Sequence, residues 1–157
     1  MTYNLLKLVH LIAVVLFMGN IITGLFWVRI AVKTKDLKII SHTIKGVTRS
    51  DRLFTIPGVI IITAGGFLAA IHAHFPILRT GWIFYSIILF SISGLAFAWK
   101  VAPLQKMLYK LTVDQEGNEQ FNWNVFNKKL QEWEIWGLIA MLTPLAAMVM
   151  MTLKLPR

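Results

Sequence analysis

Histidine has the widest chemical scope of the side chains in this sequence, and one histidine lies deep in an apolar stretch. His10 belongs to the uncharged run 8–28, and Lys7 precedes it by three residues, so both side chains fall on one helix face. An ionisable group among apolar residues needs a physical reason for being there. One interpretation is an axial ligand to haem iron, since paired helices in membrane bundles hold b-type haem through histidine. The other is a neutral imidazole bonded to a backbone carbonyl or to a serine of a neighbouring helix, and both stay open.

A second iron ligand would come from a histidine on another helix. His72 and His74 lie near the end of the second uncharged run. For two antiparallel helices, residue counts place His72 within about one turn, about 5 Å, of the depth of His10. His72 is therefore the candidate second ligand, although histidines beside a turn with Pro76 are also typical of solvated or headgroup-facing positions.

Four uncharged runs indicate the helices that position these groups. The runs cover residues 8–28, 53–78, 80–99 and 135–153. Each has about the 20 residues that a helix needs to cross a hydrocarbon core of about 30 Å. A helix is required because lipid offers no partner for backbone N–H and C=O groups. We therefore predict a single all-α membrane domain over residues 1–157, a transmembrane four-helix bundle with spans at about 5–29, 53–75, 81–101 and 134–153.

The overall composition excludes several other classes of protein. The chain is 57% hydrophobic and 15% charged, whereas soluble domains average about 45–50% and about 25%. An ordinary water-soluble globule and a disordered chain are therefore excluded. The sequence has no cysteine, which excludes a disulfide scaffold, a thiolate metal site and a cysteine nucleophile.

The distribution of positive charge predicts the orientation of the chain. Of the 16 lysines and arginines, 12 lie in the two long connections, residues 29–52 and 100–129, and 4 lie elsewhere. The positive-inside rule then places both connections in the cytoplasm and both termini outside. Both connections are amphipathic, which suits contact with the anionic inner leaflet of a bacterial inner membrane. Topology and lipid account for the basic excess, and no nucleic-acid motif accompanies it.

The second span is predicted to begin at the pair Asp51 and Arg52. An acidic residue at a helix N-terminus suits the helix dipole, so we expect Asp51 to cap the span. Pro57 then falls in the first turn, where its missing N–H costs nothing. At the opposite membrane face, Lys7 is most typical of a snorkelling cation, and it could instead pair with a haem propionate or a lipid phosphate.

The whole chain resembles the HemJ-type protoporphyrinogen oxidases, the copper-resistance D proteins, and an allied group of largely uncharacterised predicted integral membrane proteins. The resemblance covers the four spans in order. It rests on short motifs: Lys7 to His10 with Met18-Gly19, Arg52 with Pro57 and Gly65-Gly66, Trp82, and the ending Leu153-Lys154-Leu155-Pro156. The stretches 51–58 and 103–105 are most similar to the uncharacterised group.

The resemblance implies a four-helix protein that binds haem b through the first-helix histidine, His10. HemJ-type proteins oxidise a porphyrinogen and pass electrons onward. They carry a lysine four residues after the third-helix tryptophan, whereas this chain has Ser86 at that position. The oxidase reaction is therefore in more doubt than the haem site, because the spans offer little besides His10 to manage protons and propionates.

We accordingly expect a haem-b-associated protein that relays electrons or handles haem near the outer membrane face. His10 is the expected iron ligand, Lys7 and Arg52 are expected to support it electrostatically, and His72 is the candidate second ligand. The alternative is a non-catalytic accessory subunit of a larger membrane complex, or a homo-oligomer. The small number of polar residues in the spans and the glycine-lined helix faces favour this alternative. The sequence does not decide between an enzyme and a binding protein.

Overall fold

Four long helices make up the protein. The computed structural model describes residues 3–114 and 121–156, and this part of the chain is helical apart from short turns. The helices are α1 (Tyr3–Lys33), α2 (Leu37–His72), α3 (Gly81–Val113) and α4 (Trp123–Leu153). Each has 31 to 36 residues and is apolar enough to cross a membrane. The prediction of an all-α protein with four membrane-spanning helices is confirmed, and the helices are longer than the predicted spans.

Helix α2 begins well before the predicted second span. Asp36 caps it, and the Asp36 carboxylate accepts hydrogen bonds from the backbone N–H groups of Lys38 and Ile39 at 2.8 and 3.3 Å. The prediction that Asp51 caps the span is therefore wrong, because the helix is already formed for a further 14 residues before Asp51. The predicted boundary was the start of the uncharged run at residue 53. A helix can also extend through the amphipathic segment that precedes such a run.

Two turns of π-helix interrupt the long helices, and each lies just before a proline. They cover Asp51–Thr55 in α2 and Phe97–Val101 in α3, and Pro57 and Pro103 stand at the second position after each. A proline inside a helix removes an N–H and crowds the carbonyl four residues earlier, and a wider turn relieves both effects. Pro57 therefore lies inside a continuous helix, and not in a first turn as predicted.

Neighbouring helices run antiparallel. Gly58 of α2 lies against Phe17 of α1, and Gly137 of α4 lies against Leu25 of α1. Helix α3 is joined to α4 by Ser93, which donates a hydrogen bond of 2.6 Å to the carbonyl of Ala140. The up-down-up-down order places both termini and the turn 73–80 at one end of the bundle, and both long connections at the other. Which end faces the cytoplasm stays a prediction.

The half of the bundle next to the long connections is tightly packed. We call residues 20–55, 96–113 and 121–140 the connection half, and residues 3–19, 56–95 and 141–156 the terminal half. In the connection half all four helices share one core, whose most buried large side chains are Val28, Ile40, Ile44, Leu108, Phe126 and Trp133. This core holds the four helices in fixed register.

The terminal half is built mainly from two helix pairs, α1 with α2 and α3 with α4, and Phe90 of α3 and Met141 of α4 pack against the first pair. The first pair packs through Ala13, Phe17, Met18 and Ile62. Between α2 and α3 lies an apolar cleft of about 200 Å³. Its lining includes Phe17, Ile21, Val59, Phe90, Gly94 and Phe97. This cleft is smaller than the roughly 300–1,000 Å³ of typical small-molecule sites.

The outer surface of the helices is strongly apolar. Among the exposed side chains, Val15 is 70%, Leu53 64%, Ile60 64% and Trp99 72% accessible. A soluble protein rarely exposes so continuous an apolar surface, whereas lipid tails solvate such side chains without cost. The exposed surface therefore agrees with four membrane-crossing helices.

Candidate functional site

His10 lies at the interface of α1 and α2. Its side chain is half-buried, and its Nδ1 lies 2.9 Å from the carbonyl oxygen of Ile62. The ring lies against Gly66, where an added Cβ would come within 3.2 Å of the His10 Cε1 atom, and Gly65 lies against the Cβ and backbone of His10. Gly66 therefore leaves the space that the imidazole occupies, and Gly65 allows the close approach of the two helices.

The bond to Ile62 fixes the state of the imidazole. A carbonyl oxygen is only an acceptor, so His10 Nδ1 carries a proton, and in the neutral imidazole Nε2 then keeps a free lone pair. Within the described residues, Nε2 has no hydrogen-bond partner. Iron- and zinc-ligating histidines are usually held by the same kind of N–H···O=C bond on the other ring nitrogen. The bond is therefore common to both interpretations of His10, the structural one and the ligand one.

The structure separates the other predicted site residues from His10. His72 lies seven residues beyond Gly65 on α2, which is about 10 Å along the helix. The predicted depth difference of about one turn is therefore wrong, and His72 lies about two turns farther toward the terminal end. Arg52 lies ten residues before Ile62, about 15 Å toward the connection half. The side chains of His72, Arg52 and Lys7 are all exposed. Of these three residues, only Lys7 lies within about one helical turn of His10, because it precedes His10 by three residues on α1.

A second polar centre lies in the connection half around Asp51. Oδ1 of Asp51 accepts hydrogen bonds from Nδ2 of Asn20 at 2.9 Å and from Oγ1 of Thr55 at 2.8 Å. Oδ2 accepts from Nε2 of Gln105 at 3.0 Å. The three donors come from α1, α2 and α3, and the Asp51, Thr55 and Gln105 side chains are buried. We call Asn20, Asp51, Thr55 and Gln105 the Asp51 cluster.

The two π-helical turns position this cluster. One begins at Asp51 and ends at Thr55, and the other ends at Val101, four residues before Gln105. A π-helical turn adds one residue to the helix and rotates the segment before the turn relative to the segment after it. Residues that a regular helix would place on different faces can thus meet at one point in the interior.

The fourth helix adds an indole group beside the cluster. Trp133 of α4 is 2% exposed, and its Nε1 is buried with no hydrogen-bond partner in the described part of the chain. Trp133 lines a cavity of about 20 Å³ together with Asn20, Asp51 and Gln105. A buried N–H group without a partner is uncommon in folded proteins, so this cavity is a candidate for a polar occupant.

Reasoning from the sequence missed the Asp51 cluster, although it had singled out two of its parts. Asp51 and Gln105 belong to the stretches 51–58 and 103–105, and Asn20 lies in the first span. The available signal was the spacing of Ile40, Ile44 and Val47, which extends the second helix back past Asp51. An interior aspartate then needs partners, but the sequence does not show which ones.

Ser86, which departs from the lysine expected from the resemblance to HemJ-type proteins, is buried between helices. Its side chain is 2% exposed, and its hydroxyl donates a hydrogen bond of 3.2 Å to the carbonyl of Ala147. The hydroxyl thus joins α3 to α4 in the terminal half. A long cationic side chain would not fit this contact, so Ser86 serves the packing of the bundle.

Comparison with protein families gives one result for the whole chain. Residues 4–155 match the model of a family described as predicted integral membrane protein (DUF2269). The chain belongs to this family. The match covers both the His10 region and the Asp51 cluster, and it agrees with the four apolar helices. No curated protein and no solved structure matches the chain.

Membership of this integral membrane family identifies the class of the protein and not its activity. The chemistry therefore depends on the two centres that the structure describes. Both include residues of α1 and α2, and His10 and Asn20 lie ten residues apart along α1, which corresponds to about 15 Å. One offers an imidazole nitrogen with a free lone pair, and the other offers a buried carboxyl group.

Proposed function

We propose that this family member binds haem b through His10 and serves in electron relay or haem handling in the membrane. The observation that supports this most is the free lone pair on His10 Nε2, with Nδ1 fixed by the Ile62 carbonyl at 2.9 Å. Haem, when bound, would supply one-electron exchange. His10 holds the ligating nitrogen in a defined tautomer, which is what the protein contributes to such a site.

The residues around His10 fit a single axial ligand better than a pair. His72 lies about two turns away along α2, and it is excluded from our proposal as a second ligand within the same chain. Neither the cleft of about 200 Å³ nor the cavity of about 20 Å³ has His10 in its lining. The porphyrin in this proposal is therefore bordered by lipid or by another protein, and Lys7 is the cation available to a propionate.

Purified protein tests the proposal directly. We expect the protein from haem-sufficient cells to show a Soret band, and His10→Ala to lose at least nine-tenths of it. Gly66→Val should also reduce haem content, because its Cβ would press on the His10 ring. His72→Ala and Gly19→Ala are the controls, since His72 is remote and nothing lies within 4 Å of a Cβ at Gly19.

Two outcomes would contradict the haem proposal. A colourless wild-type protein, even after reconstitution with haem, would leave the accessory-subunit alternative, for which the apolar cleft between α2 and α3 offers a contact surface. A coloured His10→Ala variant would show that haem binds elsewhere. Retention of the elution volume of the wild-type protein in size-exclusion chromatography would show that each variant is folded.

We also propose that the connection end faces the cytoplasm of a bacterial inner membrane. Twelve of the 16 lysines and arginines lie in the long connections, and such an excess favours the cytoplasmic side. The chain has no cysteine, so single cysteines introduced at Lys35 and at Leu78 can be labelled without background. In intact spheroplasts a membrane-impermeant maleimide should label the residue-78 variant and spare the residue-35 variant. The reverse pattern would overturn the orientation.

A further inference from the structure

Asp51 is buried, and no cationic side chain of residues 3–114 and 121–156 forms an ion pair with it. Its side chain is 6% exposed, and it accepts hydrogen bonds from the two amides and one hydroxyl of the Asp51 cluster. Arg29 pairs with Glu134 and Lys129 pairs with Glu132, and neither pair includes Asp51. Any negative charge on Asp51 is therefore balanced by hydrogen-bond dipoles alone, and a bound proton offers the other way to neutralise it.

The charged groups of the surrounding helices are exposed or engaged elsewhere. On α1, Arg29 is exposed and pairs with Glu134 of α4 at 2.9 Å. On α2, Arg49 and Arg52 are exposed. On α3, Lys100 and Lys106 are exposed, and Nζ of Lys100 lies 5.6 Å from the centre of the Trp136 ring. None of them forms a hydrogen bond or ion pair with Asp51 in the described structure.

The cavity beside the cluster has the size for one water molecule, and Asn20, Asp51 and Gln105 are among its lining residues. Its volume of about 20 Å³ is above the roughly 10–15 Å³ that a single water needs. Trp133 is one of the cavity's lining residues, and the Trp133 indole N–H, which is only a donor, has no partner in the described part of the chain. A metal cation is disfavoured because an N–H group repels it, whereas a water oxygen accepts from the indole and its hydrogens remain for oxygen atoms of the cluster.

We propose that the connection half contains a proton-binding site made of Asp51 and one buried water held by Trp133. The water accepts the indole N–H and donates to the Asp51 carboxylate. A proton passed to this water makes it a hydronium ion, which transfers one proton to the carboxylate and leaves a neutral carboxyl group and the same water. The reverse transfer releases the proton. This site is independent of the haem proposal, since neither His10 nor iron takes part.

The water component is tested by nuclear magnetic resonance on the full chain in detergent micelles. We expect a cross-relaxation peak between the Trp133 indole proton and water, assigned by its loss in Trp133→Phe. The peak should persist in Trp99→Phe, which removes an indole on the lipid-facing surface. If the Trp133 indole proton exchanges no magnetisation with water, the cavity is dry and the proposal is overturned.

The proton component is tested by infrared difference spectra between acidic and neutral buffer. We expect a carboxyl C=O band that Asp51→Asn abolishes, that Trp133→Phe shifts in frequency, and that Trp99→Phe leaves unchanged. Should Asp51→Asn fail to fold, carboxyl-¹³C labelling of aspartate in the wild-type protein replaces it, because the chain has three aspartates and the other two are exposed. Absence of any titrating band from Asp51 would overturn the proposal.

Discussion

Replacing Asp51 with leucine is expected to lower the free energy of unfolding by about 3–5 kcal/mol. The substitution removes the acceptor shared by Asn20 Nδ2, Thr55 Oγ1 and Gln105 Nε2. A buried donor left without a partner costs about 1–3 kcal/mol, and the substitution leaves Gln105 Nε2 and Thr55 Oγ1 without the acceptor they share. The relief of burying one fewer carboxylate offsets only part of this. Unfolding in mixed detergent micelles, monitored by far-ultraviolet circular dichroism, measures the difference.

Two further variants separate this effect from a change of side-chain size. Asp51→Asn keeps the shape and one acceptor oxygen, so its free energy of unfolding should lie between those of the wild type and Asp51→Leu. Arg52→Leu alters the neighbouring exposed residue and should change stability by less than about 0.5 kcal/mol. An Asp51→Leu protein as stable as the wild type would show that the Asp51 cluster does not hold the helices together.

The second large effect is expected for Phe126→Ala, with a loss of about 3–5 kcal/mol. Phe126 is 1% exposed in the shared core of the connection half. Its ring lies 5.6 Å from that of Phe121 and 5.9 Å from that of Trp123, measured between centroids. Truncation leaves a cavity between helices that the tight core cannot close, and it removes both ring contacts. The same unfolding measurement applies.

The matched control for Phe126→Ala is Phe54→Ala. Phe54 is 45% exposed on α2, where lipid or detergent fills the space that truncation creates. We expect its loss of stability to be less than half that of Phe126→Ala. Equal losses would contradict the division of the bundle into a tightly packed connection half and a lipid-facing surface.

The two candidate centres make different demands on the bundle. His10 lies in the terminal half, where the helices form two pairs and a cleft separates α2 from α3. The Asp51 cluster lies in the half where all four helices share a core. A buried polar network is stable only when its members are held in fixed positions, and the tight core supplies that. A ligand exchanged with the membrane is better served by the looser half.

The prediction of four membrane helices succeeded because lipid imposes it on the sequence. An uncharged run of about 20 residues has no other stable conformation in hydrocarbon, so the runs beginning at residues 8, 53, 80 and 135 had to be helical. The prediction failed at Asp51, because the uncharged run starts only at Leu53 whereas the helix already begins at Leu37. Beyond the hydrocarbon an amphipathic segment such as Leu37–Ser50 stays helical by packing one face on its neighbours.

The amino-acid order alone determined the number of helices, the four-span layout and the position of a half-buried imidazole in the first of them. Only the tertiary structure decided that His10 binds the Ile62 carbonyl, that His72 lies two turns away, and that Asn20, Asp51 and Gln105 meet beside Trp133. Hydropathy is a property of each segment, and a segment carries it wherever it is placed. Contacts between residues 31 to 54 positions apart depend instead on helix rotation and register, which the two π-helical turns and the packing of the shared core determine.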